Sequence, residues 1–231
     1  MKIIEIKQGD DIWHEERFRA VTGTKLESAL GACYSAAKDQ WVLGGKTWEF
    51  SGDKLVCIKE SQQTKASRDK QETLLLELVS EYQSELEIND FCSADMERGN
   101  DLEPFSVKAA SERHKVNFVT CGMLQSETIP SFKFSPDAIY FNKDGVITGG
   151  YETKSKAGKK HIEYIMKDKV PSEHLLQCLC PMIMDDCVKW WVFGHFDDRN
   201  KINNLFTKLN GKITRNSYKK LELFLLHFLK S

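Results

Sequence analysis

The fold of this chain is restricted above all by a block of alternating apolar and polar residues in its middle, between residues 116 and 154. Alternation with period 2 predicts strands, because successive side chains of a strand point to opposite faces of the sheet. Asp144-Gly145 is the strongest turn signal in the chain and joins the last two strands in a hairpin. The predicted strands are Val116–Cys121, Ser131–Phe134, Asp137–Phe141 and Val146–Lys154.

Helical patterns lie on both sides of this block. The order of helices, antiparallel strands, helix and strand is typical of an α/β (α+β) fold with a central mixed β-sheet flanked by helices. We expect one domain over residues 1–231, with a less regular insertion at about 31–62 made of loops and a short hairpin. The predicted helices are Asp10–Ala20, one capped by Thr22-Gly23-Thr24 that runs toward Leu30, Thr64–Leu86, Ser93–Arg113, Pro171–Asp185 and Thr214–Leu229, and the further strands are Ile3–Ile6 and Val188–Phe196.

Composition narrows the setting in which such a fold works. Lys and Arg number 33 against 34 Asp and Glu, so no global basic field marks a nucleic-acid partner and any DNA contact must be local. Seven cysteines, an odd number, argue against a secreted disulfide framework and for a reducing, cytoplasmic compartment. The N-terminus is too charged for a signal peptide, and no run of about 18 apolar residues occurs, so we expect no membrane insertion.

The hairpin brings two acids together. If Asp144-Gly145 forms a two-residue turn, cross-strand pairing places Asp137 opposite Glu152. Lys154 then shares a face with Glu152, whereas Thr153 points away. Because like charges in opposite positions destabilise a sheet, the pairing predicts a divalent cation held by carboxylate oxygens.

Two alternatives to this register stay open. A three-residue turn with a bulge, or a bulge at Gly149-Gly150, would shift the pairing by one residue. Taken singly, acids beside a hairpin are usually solvated surface charges. The ordered combination of acids and lysine is therefore what indicates chemistry.

A third acid, Glu103, lies in the predicted helix Ser93–Arg113. It belongs to a sparsely polar stripe at helical spacing, so we expect it on the buried face, where the simplest partner of a carboxylate is the same metal site. Gly99 would let the helix approach the sheet closely, and Pro104 should kink the helix after the acid. The stripe consists of Met96, Gly99, Glu103, Val107 and Ala110.

Two resemblances join these residues into one pattern. One resemblance is to the ordered motif of PD-(D/E)XK nucleases, which implies a restriction-endonuclease-like core. It is carried by Ser135-Pro136-Asp137, a hairpin and then Glu152-Thr153-Lys154. More closely, the chain resembles the phage lambda exonuclease (YqaJ-like viral recombinase) family. The motifs that carry this resemblance, in order, are Gln8-Gly9-Asp10-Asp11-Ile12-Trp13-His14, Arg17, Val21-Thr22-Gly23-Thr24, Arg98-Gly99-Asn100-Asp101-Leu102-Glu103-Pro104, the two hairpin motifs and Gln177.

The resemblance implies a role for each matching residue of the catalytic centre. Asp137 and Glu152 would bind Mg²⁺, two ions per site with Mn²⁺ as a substitute, and Glu103 would be a further acid of the metal site. The backbone carbonyl of Thr153 would complete the coordination. Lys154 would orient and activate the attacking water. Gln177 would be an active-site glutamine on the helix that follows the hairpin.

The resemblance also implies DNA contacts. Arg17 and Thr24 match positions that bind a terminal 5′-phosphate, which suits a guanidinium and a hydroxyl at a helix N-terminus. Thr24 stands where the family has serine, and the hairpin and residues 31–62 are longer than in the family, so end recognition is the part of the resemblance that departs most. His174 lies one turn before Gln177 on the same helical face. A run of lysines is a candidate surface for DNA phosphates, although an ordinary solvent-exposed face would explain it as well. The run contains Lys154, Lys156, Lys159, Lys160, Lys167 and Lys169.

A magnesium-dependent 5′ to 3′ exonuclease acting on double-stranded DNA ends is the function that the resemblance implies. It also implies a ring-shaped homotrimer, a single-strand annealing protein as partner in phage-type recombination, and a bacterial or phage-infected cytoplasm. Two alternatives stay open: a restriction-like or nicking endonuclease, and a non-catalytic DNA-binding module.

Cys178 and Cys180 could suggest an iron–sulfur cluster, but positions i and i+2 of a helix do not face each other, so we expect buried thiols.

Overall fold

The computed structural model describes residues 1–35, 40–43, 46–51, 54–60, 62–84, 93–156, 158–199 and 205–210, with backbone course alone for most of 33–60. The described helices are α1 Asp11–Arg17, α2 Leu26–Ala29, α3 Lys65–Gln83, α4 Ala94–His114, α5 Lys159–Lys167 and α6 Ser172–Met184. The described strands are β1 Lys2–Ile4, β2 Val21–Thr22, β3 Ala32–Ser35, β4 Gln40–Leu43, β5 Lys46–Ser51, β6 Lys54–Glu60, β7 Met123–Gln125, β8 Phe132–Phe134, β9 Ala138–Phe141, β10 Ile147–Lys154, β11 Trp190–His195 and β12 Leu205–Asn210.

The described strands form three sheets of four strands each. The sheet that matters most for the candidate site has the order β12-β11-β10-β9, with β10 and β11 parallel and its other neighbours antiparallel. A second mixed sheet has the order β1-β7-β8-β2. The third sheet, β3-β4-β5-β6, is an antiparallel meander. Mixed sheets with flanking helices confirm the predicted fold class.

Buried apolar residues lie on both faces of the β10–β11 pair. On one face, Tyr151 and Val192 pack with Val107 and Ala110 of α4. On the other, Trp191 and Phe193 join the larger core, to which α6, α2 and α3 contribute. The sheet is therefore clamped between α4 and α6, which sets the direction in which each residue of β10 points.

The β9–β10 hairpin reaches the predicted pairing by a route that was not predicted. Asn142 N donates to Val146 O at 2.9 Å, so the turn has three residues rather than two, with Gly145 at φ +75°. A register shift between Ile147 and Gly149 then compensates for the extra turn residue. Beyond it Tyr151 pairs with Ala138, as expected for a two-residue turn, and Glu152 adjoins Asp137.

Several local predictions were wrong. Val116–Cys121 is not a strand: only Val119 makes an isolated bridge, to Ile139, and the strand begins later, at Met123. Residues 31–62 contain the four-stranded meander instead of loops and one short hairpin. Helix α5 and strand β12 were missed.

Other predictions concern helices. Helix α2 starts at Leu26 with Lys25 as its N-cap, so Thr22 and Thr24 precede the helix without capping it. Helix α4 continues through Pro104 to His114. The predicted closing helix Thr214–Leu229 lies outside the described residues. Within the described part of the chain, no helix is both long and apolar enough to cross a bilayer.

Candidate active site

Four of the predicted site residues meet near the end of the hairpin. Asp137 directly precedes β9, and its Oδ2 accepts a hydrogen bond of 2.5 Å from the backbone N–H of Thr153. Glu152 is 1% exposed, and its Oε1 lies 2.6 Å from Lys154 Nζ. Gln177 of α6 donates from Nε2 to the same oxygen at 2.5 Å. The structure therefore brings Asp137, Glu152, Lys154 and Gln177 together as the sequence predicted.

Glu103 reaches this group from α4 across a cleft. The cleft has a volume of about 400 Å³ and is lined on one side by the first turns of α4 and on the other by the end of β10. Gly99 and Met96, predicted as part of a buried stripe, line the cleft instead: Met96 is 53% exposed, and a Cβ on Gly99 would meet no atom within 4 Å. Gly99 thus widens the cleft rather than allowing close helix packing.

The acids destabilise one another's ionised forms. Burial and the carboxylate of Asp137 raise the pKa of Glu152 to about 8. Burial and Asp137 also raise the pKa of Glu103 to about 7, and burial raises the pKa of Asp137. Burial alone would lower the pKa of Lys154, but Glu152 and Asp137 outweigh it and hold this pKa above its ordinary value. One lysine thus faces three carboxyl groups, an arrangement that favours an added cation.

The donor atoms fit a hard divalent cation. They are carboxylate oxygens, the ligands preferred by Mg²⁺, and Glu152 Oε2 is buried without a hydrogen-bond partner. Among the residues that the structure describes, no three His, Cys, Asp or Glu side chains already stand at metal-binding spacing. Asp137, Glu152 and Glu103 are nevertheless the side chains that could hold such an ion, and Oε2 of Glu152 is the oxygen free to do so. A role for the Thr153 carbonyl stays a prediction.

The opening motif packs against the segment that leads into Asp137. Gln8 Nε2 donates to the carbonyls of Cys121 and Pro136, each at 2.8 Å, and Trp13 Nε1 donates to Ser135 Oγ at 2.9 Å. The motif therefore fixes the approach of the chain to Asp137.

Arg17 interacts electrostatically with Glu152, whereas Thr24 lies at the surface. The guanidinium of Arg17 stacks over the Trp13 ring, 4.3 Å from its centroid, and burial lowers the pKa of Arg17 against the opposing effect of Glu152. Thr24 is exposed, and its Oγ1 lies 3.0 Å from Thr22 Oγ1. The binding of a 5′-phosphate by Arg17 and Thr24 stays a prediction.

His174 is close to Lys154 but is not a cationic group. Its ring stacks on Phe193, with centroids 5.4 Å apart, and burial and Lys154 lower its pKa to about 4. It is therefore a neutral imidazole at neutral pH, so any phosphate contact would be a hydrogen bond rather than an ion pair.

The predicted lysine track is uneven. Lys156 is exposed and lines the cleft, and Lys159 is exposed at the start of α5. Lys160 is already paired with Glu163 at 3.5 Å and Glu173 at 3.9 Å. Lys156 and Lys159 are thus the better candidates for phosphate contacts.

Some buried polar groups of the site region were missed by sequence reasoning. Ser106 Oγ of α4 lies 2.6 Å from Tyr151 Oη and 2.7 Å from Thr153 Oγ1, which ties the helix of Glu103 to β10. Ser106 follows Glu103 by three residues, a spacing that could have indicated a shared face. Two histidines, His161 and His195, are also fully buried near the end of β10.

The two cysteines of α6 are buried as expected. Cys178 and Cys180 are each 0% exposed, and burial raises the pKa of both thiols well above the ordinary value. Protonated, buried thiols behave as small apolar residues and pack accordingly.

The chain is similar to known proteins in sequence and in fold. The sequence profile of the YqaJ-like viral recombinase domain matches residues 12–187. No curated protein sequence matches the chain significantly.

Solved structures share the fold at low sequence identity. LHK-Exo, an alkaline exonuclease from Laribacter hongkongensis, has a TM-score of 0.65 and 19% identity, covering 96% of this chain and 91% of that chain. LHK-Exo in complex with dAMP gives a TM-score of 0.65 and 18% identity over the same shares of both chains. A phage related exonuclease from Haemophilus somnus 129PT has a TM-score of 0.50 and 12% identity, covering 91% of this chain and 92% of that chain.

Proposed function

Because the chain belongs to the YqaJ-like viral recombinase domain family, as the sequence resemblance predicted, we propose that it is a metal-dependent deoxyribonuclease that degrades linear double-stranded DNA from its ends. One observation carries the proposal. Asp137, Glu152 and Lys154 meet at one end of the hairpin, with Glu103 facing them across a cleft of about 400 Å³. The exonucleases whose fold this chain shares make cleavage from an end the best-supported mode of action.

We assign the metal site to Asp137, Glu152, Glu103 and the carbonyl of Thr153, with two Mg²⁺ ions, or Mn²⁺ in their place. Bound cations of this kind supply a water of lowered pKa and stabilise the charge of the departing oxygen. Gln177 holds Glu152 by a hydrogen bond to Oε1, which leaves Oε2 for the metal.

Lys154 supplies a positive charge to the proposed site. Its ammonium lies 2.6 Å from Glu152 and stays protonated, because the surrounding acids raise its pKa. It can therefore orient a water by donating a hydrogen bond, and it stabilises the extra negative charge of the pentavalent phosphorane. Because the nucleophile is a water and not a side chain, cleavage is a direct hydrolysis without a covalent intermediate.

The direction of degradation depends on how the DNA end is bound. We propose 5′ to 3′ degradation, with Arg17 and Thr24 on the terminal 5′-phosphate and with His174, Lys156, Lys159 and Lys160 along the strand. Arg17 is oriented by Trp13 and acts electrostatically on Glu152, so a phosphate bound to it would lie near the catalytic acids. The product would be single-stranded DNA.

Assembly and partners follow the resemblance. We propose a ring-shaped homotrimer that threads duplex DNA and passes the single strand to an annealing protein during phage-type recombination. The setting is the cytoplasm of a bacterium or phage-infected cell. With a net charge of −1, the chain depends on local contacts rather than a global field to hold DNA.

The test compares DNA substrates that differ only at their ends. Linear duplex with a 5′-phosphate, the same duplex with a 5′-hydroxyl, and covalently closed circles are incubated with Mg²⁺, Mn²⁺ or EDTA. We expect degradation of linear DNA with either metal, a faster rate with the 5′-phosphate, and none in EDTA. A Glu152→Gln variant purified identically excludes a contaminating nuclease. Cleavage of the circles would replace the exonuclease with an endonuclease, and inactivity on every substrate would favour a DNA-binding module.

A further inference from the structure

Two buried histidines next to the candidate active site have no role in the proposed chemistry. His195 ends β11, His161 lies in the first turn of α5, and each is 0% exposed. Their Nδ1 atoms are 2.6 Å apart, which is hydrogen-bond distance. The other ring nitrogen of His195, Nε2, accepts a hydrogen bond of 3.2 Å from the backbone N–H of Lys156.

The Lys156 contact determines which nitrogen of each ring is protonated. A backbone N–H can only donate, so Nε2 of His195 carries no proton. A neutral imidazole of that form has its proton on Nδ1 and donates it to Nδ1 of His161. His161 therefore accepts at Nδ1 and is protonated at Nε2. Burial lowers the pKa of both rings, that of His195 to about 3, which agrees with two neutral imidazoles.

The histidine pair holds the segment that delivers lysines to the cleft. Strand β10 ends at Lys154, whose carbonyl accepts a backbone hydrogen bond of 3.2 Å from Phe196. Two residues later, the imidazole of His195 receives the Lys156 N–H and so takes the place of a strand partner. Lys154, Ser155 and Lys156 all line the cleft that also contains Glu103 and Asp137.

We propose that His195 is a positioning residue for Lys154 and Lys156, and that His161 keeps it in the tautomer that this task requires. The inference rests on the proposed function, because it assigns the pair to the delivery of the catalytic lysine. Without an acceptor for the Lys156 N–H, the segment after β10 relaxes and the Lys154 ammonium moves relative to Glu152. A displacement of about 1 Å at a reacting group can cost on the order of 10²-fold in rate.

A packing role is the competing explanation. The His195 ring meets Tyr164 edge-on, with centroids 4.8 Å apart, and fills space below the active site. An apolar side chain of similar volume would serve packing equally well, but it could not accept a hydrogen bond. The two explanations therefore differ for substitutions that preserve volume and change only the acceptor.

The first test reads the tautomers directly in the full-length protein. The chain is labelled with ¹⁵N-histidine, and two-bond correlations between ring nitrogens and carbon-bound protons identify the protonated nitrogen of each ring. We expect His195 protonated at Nδ1 and His161 protonated at Nε2. A His195 ring protonated at Nε2 would overturn the proposal, because that nitrogen could not accept from Lys156.

The second test compares kcat on saturating linear DNA. We expect His195→Leu to lower kcat by about 10²-fold, and His195→Gln, whose amide oxygen can accept, to recover most of that loss. His161→Leu should also lower kcat and shift His195 toward the Nε2-protonated form. Tyr164→Phe keeps the ring beside His195 and should retain the wild-type kcat.

The outcomes separate this inference from the proposed function. A wild-type protein inactive on all DNA, with the expected tautomers, would remove the nuclease but not the hydrogen-bonded pair. An active wild type with equal kcat in His195→Leu would overturn the positioning role. If His195→Leu fails to fold, as judged by thermal unfolding, the recovery in His195→Gln and the wild-type tautomers decide the question.

Discussion

The two faces of strand β10 satisfy their polar groups very differently. On the face toward α4, the hydroxyls of Tyr151 and Thr153 both bond to Ser106, at 2.6 and 2.7 Å. On the face toward α6, Glu152 shares one oxygen between Lys154 and Gln177, and its other oxygen is buried without a partner. Neutral groups are fully paired on one face, whereas a buried carboxylate keeps one oxygen without a partner on the other.

This difference shows how the strand can hold an unfavourable group of charges in a fixed geometry. A fully paired hydroxyl network in a low-dielectric interior orders the backbone of β10. That order positions Glu152 and Lys154 on the opposite face, where burial of unbalanced acids costs stability until a cation binds. The hydroxyl network therefore stabilises β10 and also joins it to α4, the helix from which Glu103 faces Asp137 and Lys154 across the cleft.

The largest expected effect comes from removing one acid of the charged face. Asp137→Asn keeps an oxygen that can accept from Thr153 but loses the charge, so we expect nuclease activity to fall by about 10³-fold or more. In EDTA the same change should raise the free energy of unfolding, because fewer like charges are buried. Activity assays and urea unfolding in EDTA measure the two effects, and lower stability in Asp137→Asn would contradict the charge argument.

The pH dependence of stability tests the same argument. Glu152 and Glu103 have raised pKa values in the fold, about 8 and 7, so between pH ~6.5 and 8 the folded protein binds more protons than the unfolded chain. Below pH ~6.5 the buried His174 and His195, whose pKa values are lowered, act in the opposite direction, because they are protonated only in the unfolded chain. Stability in EDTA should therefore fall as pH rises from about 6.5 to 8, and saturating Mg²⁺ should reduce this fall by stabilising the ionised carboxylates. Urea unfolding across this pH range, with and without Mg²⁺, provides the measurement. A flat profile in EDTA would contradict the prediction.

A smaller effect is expected from crowding the hydroxyl face. A Cβ on Gly194 would lie 1.9 Å from Tyr151 Oη, so Gly194→Ala must displace the ring from Ser106. Overpacking of this kind costs about 1–3 kcal/mol. Gly99→Ala is the matched control, because no atom lies within 4 Å of its Cβ, and in a helix it should gain about 0.5–1 kcal/mol. Equal unfolding free energies for the two variants would mean that the hydroxyl face is not tightly packed.

Removing the central hydroxyl should have a milder effect. Ser106→Ala leaves Tyr151 and Thr153 without their shared partner and should cost about 1 kcal/mol, within the range for a lost hydrogen bond. Because Ser106 links the helix of Glu103 to β10, kcat should fall as well. Ser111→Ala on the same helix removes only a hydroxyl contact of 3.4 Å to Phe118 N and should change neither quantity. Unchanged kcat in Ser106→Ala would show that the neutral network does not position the site.

Local sequence patterns were enough to predict the hairpin, the juxtaposition of its acids Asp137 and Glu152, and the helices α4 and α6 that flank it. Asp137 and Glu152 became neighbours because an extra turn residue and a bulge cancel, which no residue pattern could reveal. Glu103 was recognised from helical periodicity, although Gly99 and Met96 of the same stripe line an open cleft. Periodicity identifies a face of a helix, but what covers that face depends on tertiary contacts.

The histidine pair and the Ser106 network could not be predicted in this way. His161 and His195 are 34 residues apart, and they meet only because α5 packs beside β11. The meander of β3–β6 was missed for a related reason, because its strands pair with one another and the sequence does not show which strands pair. Non-local pairing is the information that a single sequence lacks.

The smallest predicted effect concerns Lys156, which continues the charged alternation of Glu152 and Lys154 beyond the end of β10. Lys156→Ala removes the exposed ammonium that lines the cleft but keeps the backbone N–H that bonds to His195. Measured in an Asp137→Asn background to prevent cleavage, it should weaken duplex binding less than about tenfold and reduce the slope of log affinity against log salt by about 0.9. Lys160→Ala is the matched control, because its ammonium is already neutralised by Glu163 and Glu173 and should release fewer counterions. If both variants lower the salt dependence equally, the phosphate track extends along α5. If neither does, the charged face of β10 contacts DNA through the metal site and Lys154 alone.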